Sequence, residues 1–186
     1  MKYIILIFWI SSAMSLETPK YKLLEKESNF EIREYSQFII AKTIVENDYE
    51  AATSTGFRRI ANYIFGGNNE NLQIPMTAPV ISTSPSILPE SYEVMFFMPS
   101  SYSLSTLPKP NMNSVKIQNK NLERVGVIKF GGWATRKNCS KYHQKLEQWL
   151  NSKSIKYDLI FMVAQYNSPW ALPPFRKNEI FVKIIK

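Results

Sequence analysis

Apolar residues recur along this chain in two rhythms. From Tyr21 to Glu46, "YKLLEKESNFEIREYSQFIIAKTIVE" alternates β-branched and aromatic positions with polar ones, as at Phe30 and Ile32, the period of strands with one buried face. Between Tyr49 and Phe65 the spacing lengthens to three and four, so that Phe57, Ile60, Ala61 and Ile64 share one side of a helix, closed by the glycines of "FGGNNE". Cys139, Tyr142, Leu146, Trp149 and Leu150 form the same kind of stripe in a second helix between Lys137 and Ser152. Strand character returns in "YEVMFFMP", "VKIQNKNLERVGVIKFGGW", "YDLIFMVAQY" and "EIFVKII". The stretch "NLQIPMTAPVIST", residues 71–83, predicts a further but irregular strand. Pro75 and Pro79 have no N–H for a ladder, which confines it to an edge, a bulge or a partly paired wall.

The two halves of the chain follow one plan. With Ile74 set over Ile160, an offset of 86 (160 − 74), Met76 meets Met162, Ala78 meets Ala164 and Ser82 meets Ser168. The same offset brings Glu93 to Glu179, Val94 to Ile180, Ile60 to Leu146 and Tyr63 to Trp149. Residues 98–114, rich in Pro and Ser, are then a surface link between the halves. The expected fold is α+β: a pseudo-two-fold repeat of β/α/β units forming a distorted antiparallel β-barrel with two helices.

Length and composition narrow this picture to one domain, since 186 residues with 45% hydrophobic content suit a single core. Lys2, the apolar run Tyr3–Ile10 and the small residues Ala13-Met14-Ser15 predict a secretory signal over residues 1–15, leaving a single domain at 16–186 in a secreted or secretory-pathway protein. The run is shorter than the roughly 20 residues that span a bilayer. Cys139 stands alone, so no intramolecular disulfide forms, and Asn138-Cys139-Ser140 fits a glycosylation sequon.

Charge changes the list of partners. Lys and Arg number 23 against 15 acids, giving +8, which favours acidic small molecules or an anionic membrane surface. Nucleic acid is disfavoured, because the basic residues are scattered and no recognised module is present. The sequence shows no serine elbow, P-loop or clustered metal ligands, so a binding protein, not an enzyme, and a monomer are expected.

"IPMTAPV" and "SPWALPPFRKNEIFV", preceded by "YEAATSTGFRRIANYIFGGN", identify what this sequence is similar to: it resembles the SOUL haem-binding protein family from Tyr21 to Lys186. The resemblance implies two helices on a distorted β-barrel and reversible binding of haem or another tetrapyrrole in a shallow apolar cleft. The first helix and a loop near the C-terminus form that cleft, and family members are described as carriers or buffers. Some members are assigned interactions with apoptosis regulators at membranes.

A tetrapyrrole is an apolar plate with two propionates, so its binder needs an apolar slot rimmed by cations. On this chain Phe57, Ile60, Ala61 and Ile64 offer a floor, or ordinary core, and Trp170, Leu172 and Phe175 offer a wall. Arg58, Arg59, Arg176 and Lys177 are candidate propionate partners. His143, the one histidine, shares a helix face with Cys139 and is a candidate axial ligand, half of a Cys/His metal pair, or a packed side chain. Met76 is core or a sulfur ligand, and Lys137, Lys141 and Lys145 make a basic stripe that is solvated or meets anionic lipid. The expectation is a non-covalent tetrapyrrole carrier. A protein-interaction or membrane-perturbing module, or a carrier of another amphipathic anion, is the alternative.

Overall fold

The computed structural model describes residues 16–85, 91–168 and 170–185, so the predicted signal segment 1–15 lies outside the described residues. Alternation gives β1 (Tyr21–Glu27), β2 (Phe30–Tyr35), β3 (Phe38–Val45), β4 (Val80–Thr83), β5 (Tyr92–Phe97), β6 (Lys116–Lys120), β7 (Glu123–Phe130), β8 (Tyr157–Gln165) and β9 (Asn178–Ile184). The longer period gives α1 (Tyr49–Ile64), between β3 and β4, and α2 (Arg136–Ser152), between β7 and β8. Each helix starts at a side-chain cap: Asp48 accepts from the Ala51 amide at 2.8 Å, and Thr135 from the Asn138 amide at 3.3 Å.

The strands form one antiparallel sheet in the order β1-β2-β7-β9-β8-β4-β5-β3-β6. Its ends, β1 and β6, do not pair with each other, so the sheet curls without closing and the expected barrel is an open sheet instead. The composition of the ends explains this. All seven residues of β1 are exposed and four are charged, and β6 carries a lysine at each end, which suits solvated edges.

Curling brings Ile40, Met95, Phe97, Val125, Val127, Met162 and Phe181 together on the inner face. The outer face is covered by the helices. Ile60, Tyr63 and Ile64 of α1 pack on Ala41, Val94 and Phe96; Cys139, Leu146, Trp149 and Leu150 of α2 pack on Ile128, Phe161, Ile180 and Val182.

The internal repeat is present in the strand register. Phe38–Val45 falls on Glu123–Phe130 at an offset of 85 (123 − 38), and Tyr92 on Asn178 at 86 (178 − 92). Val94 pairs with Ser82 and its counterpart Ile180 pairs with Val163, so Ser82 corresponds to Val163, at 81 (163 − 82). The expected match of Met76 to Met162 and of Ser82 to Ser168 is therefore replaced by a match of Ile81 to Met162. The prolines are the reason: without N–H groups, residues 75 and 79 stay outside the ladder, the Ala78-Pro79 peptide is cis, and the strand begins at Val80. The link 98–114 also differs from a plain surface segment. Leu107 and Met98 are buried against α1, and the Tyr63 hydroxyl donates to the Pro108 carbonyl at 3.0 Å.

Candidate functional site

A cavity of about 520 Å³ opens between the first three turns of α1 and the loop that precedes α2. Tyr49, Thr53, Phe57 and Arg58 line it from the helix, Val80 and Gln165 from the sheet, and Trp133, Ala134 and Arg176 from the loops. Phe57 is half-buried, its ring 5.4 Å from that of Phe96, while Arg58 is exposed and donates to Ser54 Oγ at 3.2 Å and Thr55 Oγ1 at 3.1 Å. At the base, the Tyr49 hydroxyl lies 3.4 Å from Ser82 Oγ and 4.0 Å from Cys139 Sγ. Burial pushes the Tyr49 phenol above its ordinary range and the Cys139 thiol up to about 12, so both stay protonated at neutral pH.

The opposite wall is built by two loops tied together. After β7, Gly132 takes a left-handed φ of 82°, which a side chain would resist, and Trp133 is left half-exposed. The Gly132 amide donates to the Pro173 carbonyl at 3.2 Å, and Asn178 Nδ2 donates to the Gly132 carbonyl at 2.8 Å. Arg176 is buried. Its guanidinium carbon lies 3.7 Å from the centre of the Trp133 ring, and its Nε donates to the Ala171 carbonyl at 2.9 Å.

Residues 16–183 match the sequence profile described as "SOUL heme-binding protein". The chain belongs to this family. It is similar to "Heme-binding protein 2" of Homo sapiens, 30% identical over 182 residues that cover 92% of this chain and 88% of that one. "Heme-binding protein 1" of Xenopus laevis is 29% identical over 83% of both chains. Among solved structures, the EcmrR C-terminal domain superposes with a TM-score of 0.64 over 89% of this chain and 98% of that one, at 11% identity, a likeness of fold alone.

In this SOUL-family chain the cavity gathers three of the residues singled out from sequence, Phe57, Arg58 and Arg176, and adds Tyr49 and Trp133, which were not. Arg59 turns the other way, donating to the Ile44 carbonyl at 3.0 Å. Ile60 and Ile64 lie in the core beneath α1, with Ala61 half-buried at its flank. Trp170, Leu172 and Phe175 stand exposed on the loop between Asn167 and Arg176, which line the cavity, without lining it themselves. Lys177 is exposed and lines a neighbouring cavity of about 580 Å³ with Lys129 and Tyr166.

His143 stacks on Phe161, ring centres 3.7 Å apart, away from the cavity lining. Burial lowers its pKa, with Glu147 opposing. Cys139, one helical turn earlier, is fully buried and faces Tyr49. Met76 packs half-buried against the α1 cluster, and Lys137, Lys141 and Lys145 are exposed along α2. No group of three or more His, Cys, Asp or Glu side chains placed to hold a metal ion occurs among the described residues.

Proposed function

We propose that the chain binds haem or a related tetrapyrrole reversibly, without covalent attachment, in the cavity beside α1, and acts as a carrier or buffer of it. One observation supports this reading above the rest: apolar Phe57, Val80 and Trp133 share a cavity with the guanidinium groups of Arg58 and Arg176, in a chain whose relatives are named heme-binding proteins. About 520 Å³ lies within the range of small-molecule sites, roughly 300–1,000 Å³. Apolar walls suit the macrocycle, and the planar donors of arginine suit its carboxylates.

The donor set fits the porphyrin plate better than its iron. Among the described residues, the cavity lining contains no histidine, cysteine or methionine, and the Tyr49 hydroxyl is held at Ser82 in its protonated form. Recognition through ring and propionates follows. Entry into the secretory pathway belongs to this proposal, on the basis of Lys2 and the apolar run Tyr3–Ile10; a product beginning at Leu16 in the culture medium is the expected outcome.

The test is a haem titration of the chain from Leu16 to Lys186, followed by absorbance and tryptophan quenching. The family profile matches residues 16–183, and the described residues of all three hydrophobic clusters lie in this stretch. Saturable one-to-one binding is expected, weakened about tenfold by Arg58→Glu with Trp133→Ser, both at exposed or half-exposed positions. His143→Ala leaves the Soret band where it is. Failure to saturate overturns the reading, and a Soret shift in the His143 variant overturns recognition without axial ligation by that residue.

A further inference from the structure

The loop between Asn167 and Arg176, two residues of the cavity lining, and the loop carrying Trp133 display large apolar side chains to solvent. Trp170 is 91% exposed, Leu172 65%, Phe175 71% and Trp133 49%. One such residue on a surface is ordinary; four on two joined loops are not. Backbone bonds hold the display in place: the Ala171 amide donates to the Ser168 carbonyl at 3.0 Å, the Phe175 amide to the Leu172 carbonyl at 3.0 Å, and the Gly132 amide to Pro173. Arg176 ties the loop to Trp133 from below.

The two loop segments themselves carry charge of one sign. Residues 131–141 and 166–177 contain Arg136, Lys137, Lys141, Arg176 and Lys177 and no Asp or Glu. Lys137, Lys141 and Lys177 are exposed, and Trp133 lies two residues before Thr135, the cap that starts α2. Among the described residues of the cavity lining, Glu50 is the one acid, against Arg58 and Arg176. Exposed Trp, Leu and Phe flanked by cations is the chemistry of an interfacial anchor, in which aromatic and aliphatic tips enter the headgroup boundary and lysines meet lipid phosphates.

We propose that these two loops dock on an anionic membrane surface through Trp170, Leu172, Phe175 and Trp133, with Lys137, Lys141 and Lys177 on the headgroups. Trp133 and Arg176 also line the cavity, so docking sets its mouth beside the bilayer, where an amphipathic ligand would enter or leave. The proposal rests on the loops alone and stands whether or not the cavity holds haem.

Ligand-free chain from Leu16 to Lys186, which lacks the apolar run 3–10, is mixed with phosphatidylcholine vesicles and with vesicles containing roughly a third phosphatidylserine. Co-sedimentation and a tryptophan blue shift are expected with the anionic vesicles and not with the neutral ones. Binding falls about tenfold in Trp170→Ser/Leu172→Ser/Phe175→Ser, and by a similar factor in Lys137→Glu/Lys177→Glu, with unchanged circular dichroism. The charge variant keeps the test decisive if the apolar one misfolds. Absence of anionic-vesicle binding, equal binding to both vesicles, or undiminished binding by both variants overturns the proposal. So does concentration-dependent self-association that the apolar variant abolishes in place of vesicle binding. The haem titration is unaffected by any of these outcomes, so the two readings fail separately.

Discussion

Close approach of helix to sheet is decided by two glycines, one on each side of the repeat. A side chain at Gly56 would place its Cβ 2.5 Å from Val94 Cγ2, so α1 lies on β5 with nothing to spare; at Gly126 the obstruction would be Leu150 of α2, at 2.9 Å. The duplication keeps the packing plan but moves the small residue from helix to strand, for Gly126 corresponds to Ala41 at the offset of 85 (126 − 41). Gly56→Ala is expected to destabilise by about 1–3 kcal/mol by overpacking, partly offset by better helix propensity, and urea denaturation measures it. A gain in stability would mean that α1 can lift off β5 freely. At this scale the sequence was partly legible. Arg58 and Arg59 are indistinguishable as neighbours in a polar stretch, yet about 100° of helical turn separates them and sends one to the cavity and the other to the Ile44 carbonyl. Trp133 follows two glycines and belongs to no period, so no pattern announced its place in the site.

Elements were the most legible level, because period and punctuation act locally. The helices begin one residue or fewer from their expected starts, and Asp48 and Thr135 supply the caps. Asp48 is exposed and its main service is the bond to the Ala51 amide, so Asp48→Ala is expected to cost about 1 kcal/mol in denaturant titration and Asp48→Asn much less, since Asn caps nearly as well. Equal loss in both variants would show that charge at the helix start, not the hydrogen bond, is what matters. The strand that was misjudged is the one whose pairing depends on prolines. Apolar Ile74 and Met76 continue the look of a strand, but the ladder starts at Val80, and an offset drawn through the prolines carries the repeat out of register by five residues (86 − 81).

Closure of the sheet belongs to the whole molecule and is invisible to a period of two, which fixes the face of each strand but not whether the first meets the last. The same holds for the polar end of the inner face, assembled from residues far apart in sequence. Arg33, 1% exposed, donates to both carboxylate oxygens of Glu179 at 2.9 and 2.7 Å and to Glu31 at 2.7 Å; Lys129 reaches Glu31 at 2.5 Å and the Tyr166 hydroxyl reaches Glu179 at 2.8 Å. These contacts join β2, β7 and β9. Burial alone would raise the Glu31 pKa, but the contacts with Lys129 and Arg33 together outweigh it and leave the carboxyl below its ordinary value. Such a group stabilises the fold above about pH 4.3 and loses that contribution as pH falls through its folded pKa. His143 acts earlier. Burial against Phe161 depresses its pKa although Glu147 opposes, so the fold holds it neutral, and stability declines once pH drops below about 6.5, where the unfolded chain takes up the proton first. Melting temperature against pH should therefore fall in two stages, one beginning near pH 6.5 and one below about 4.3. His143→Gln, which cannot titrate, is expected to remove the first stage and keep the second. If wild type and variant give parallel curves between about pH 7 and 5, His143 is not held neutral by its packing.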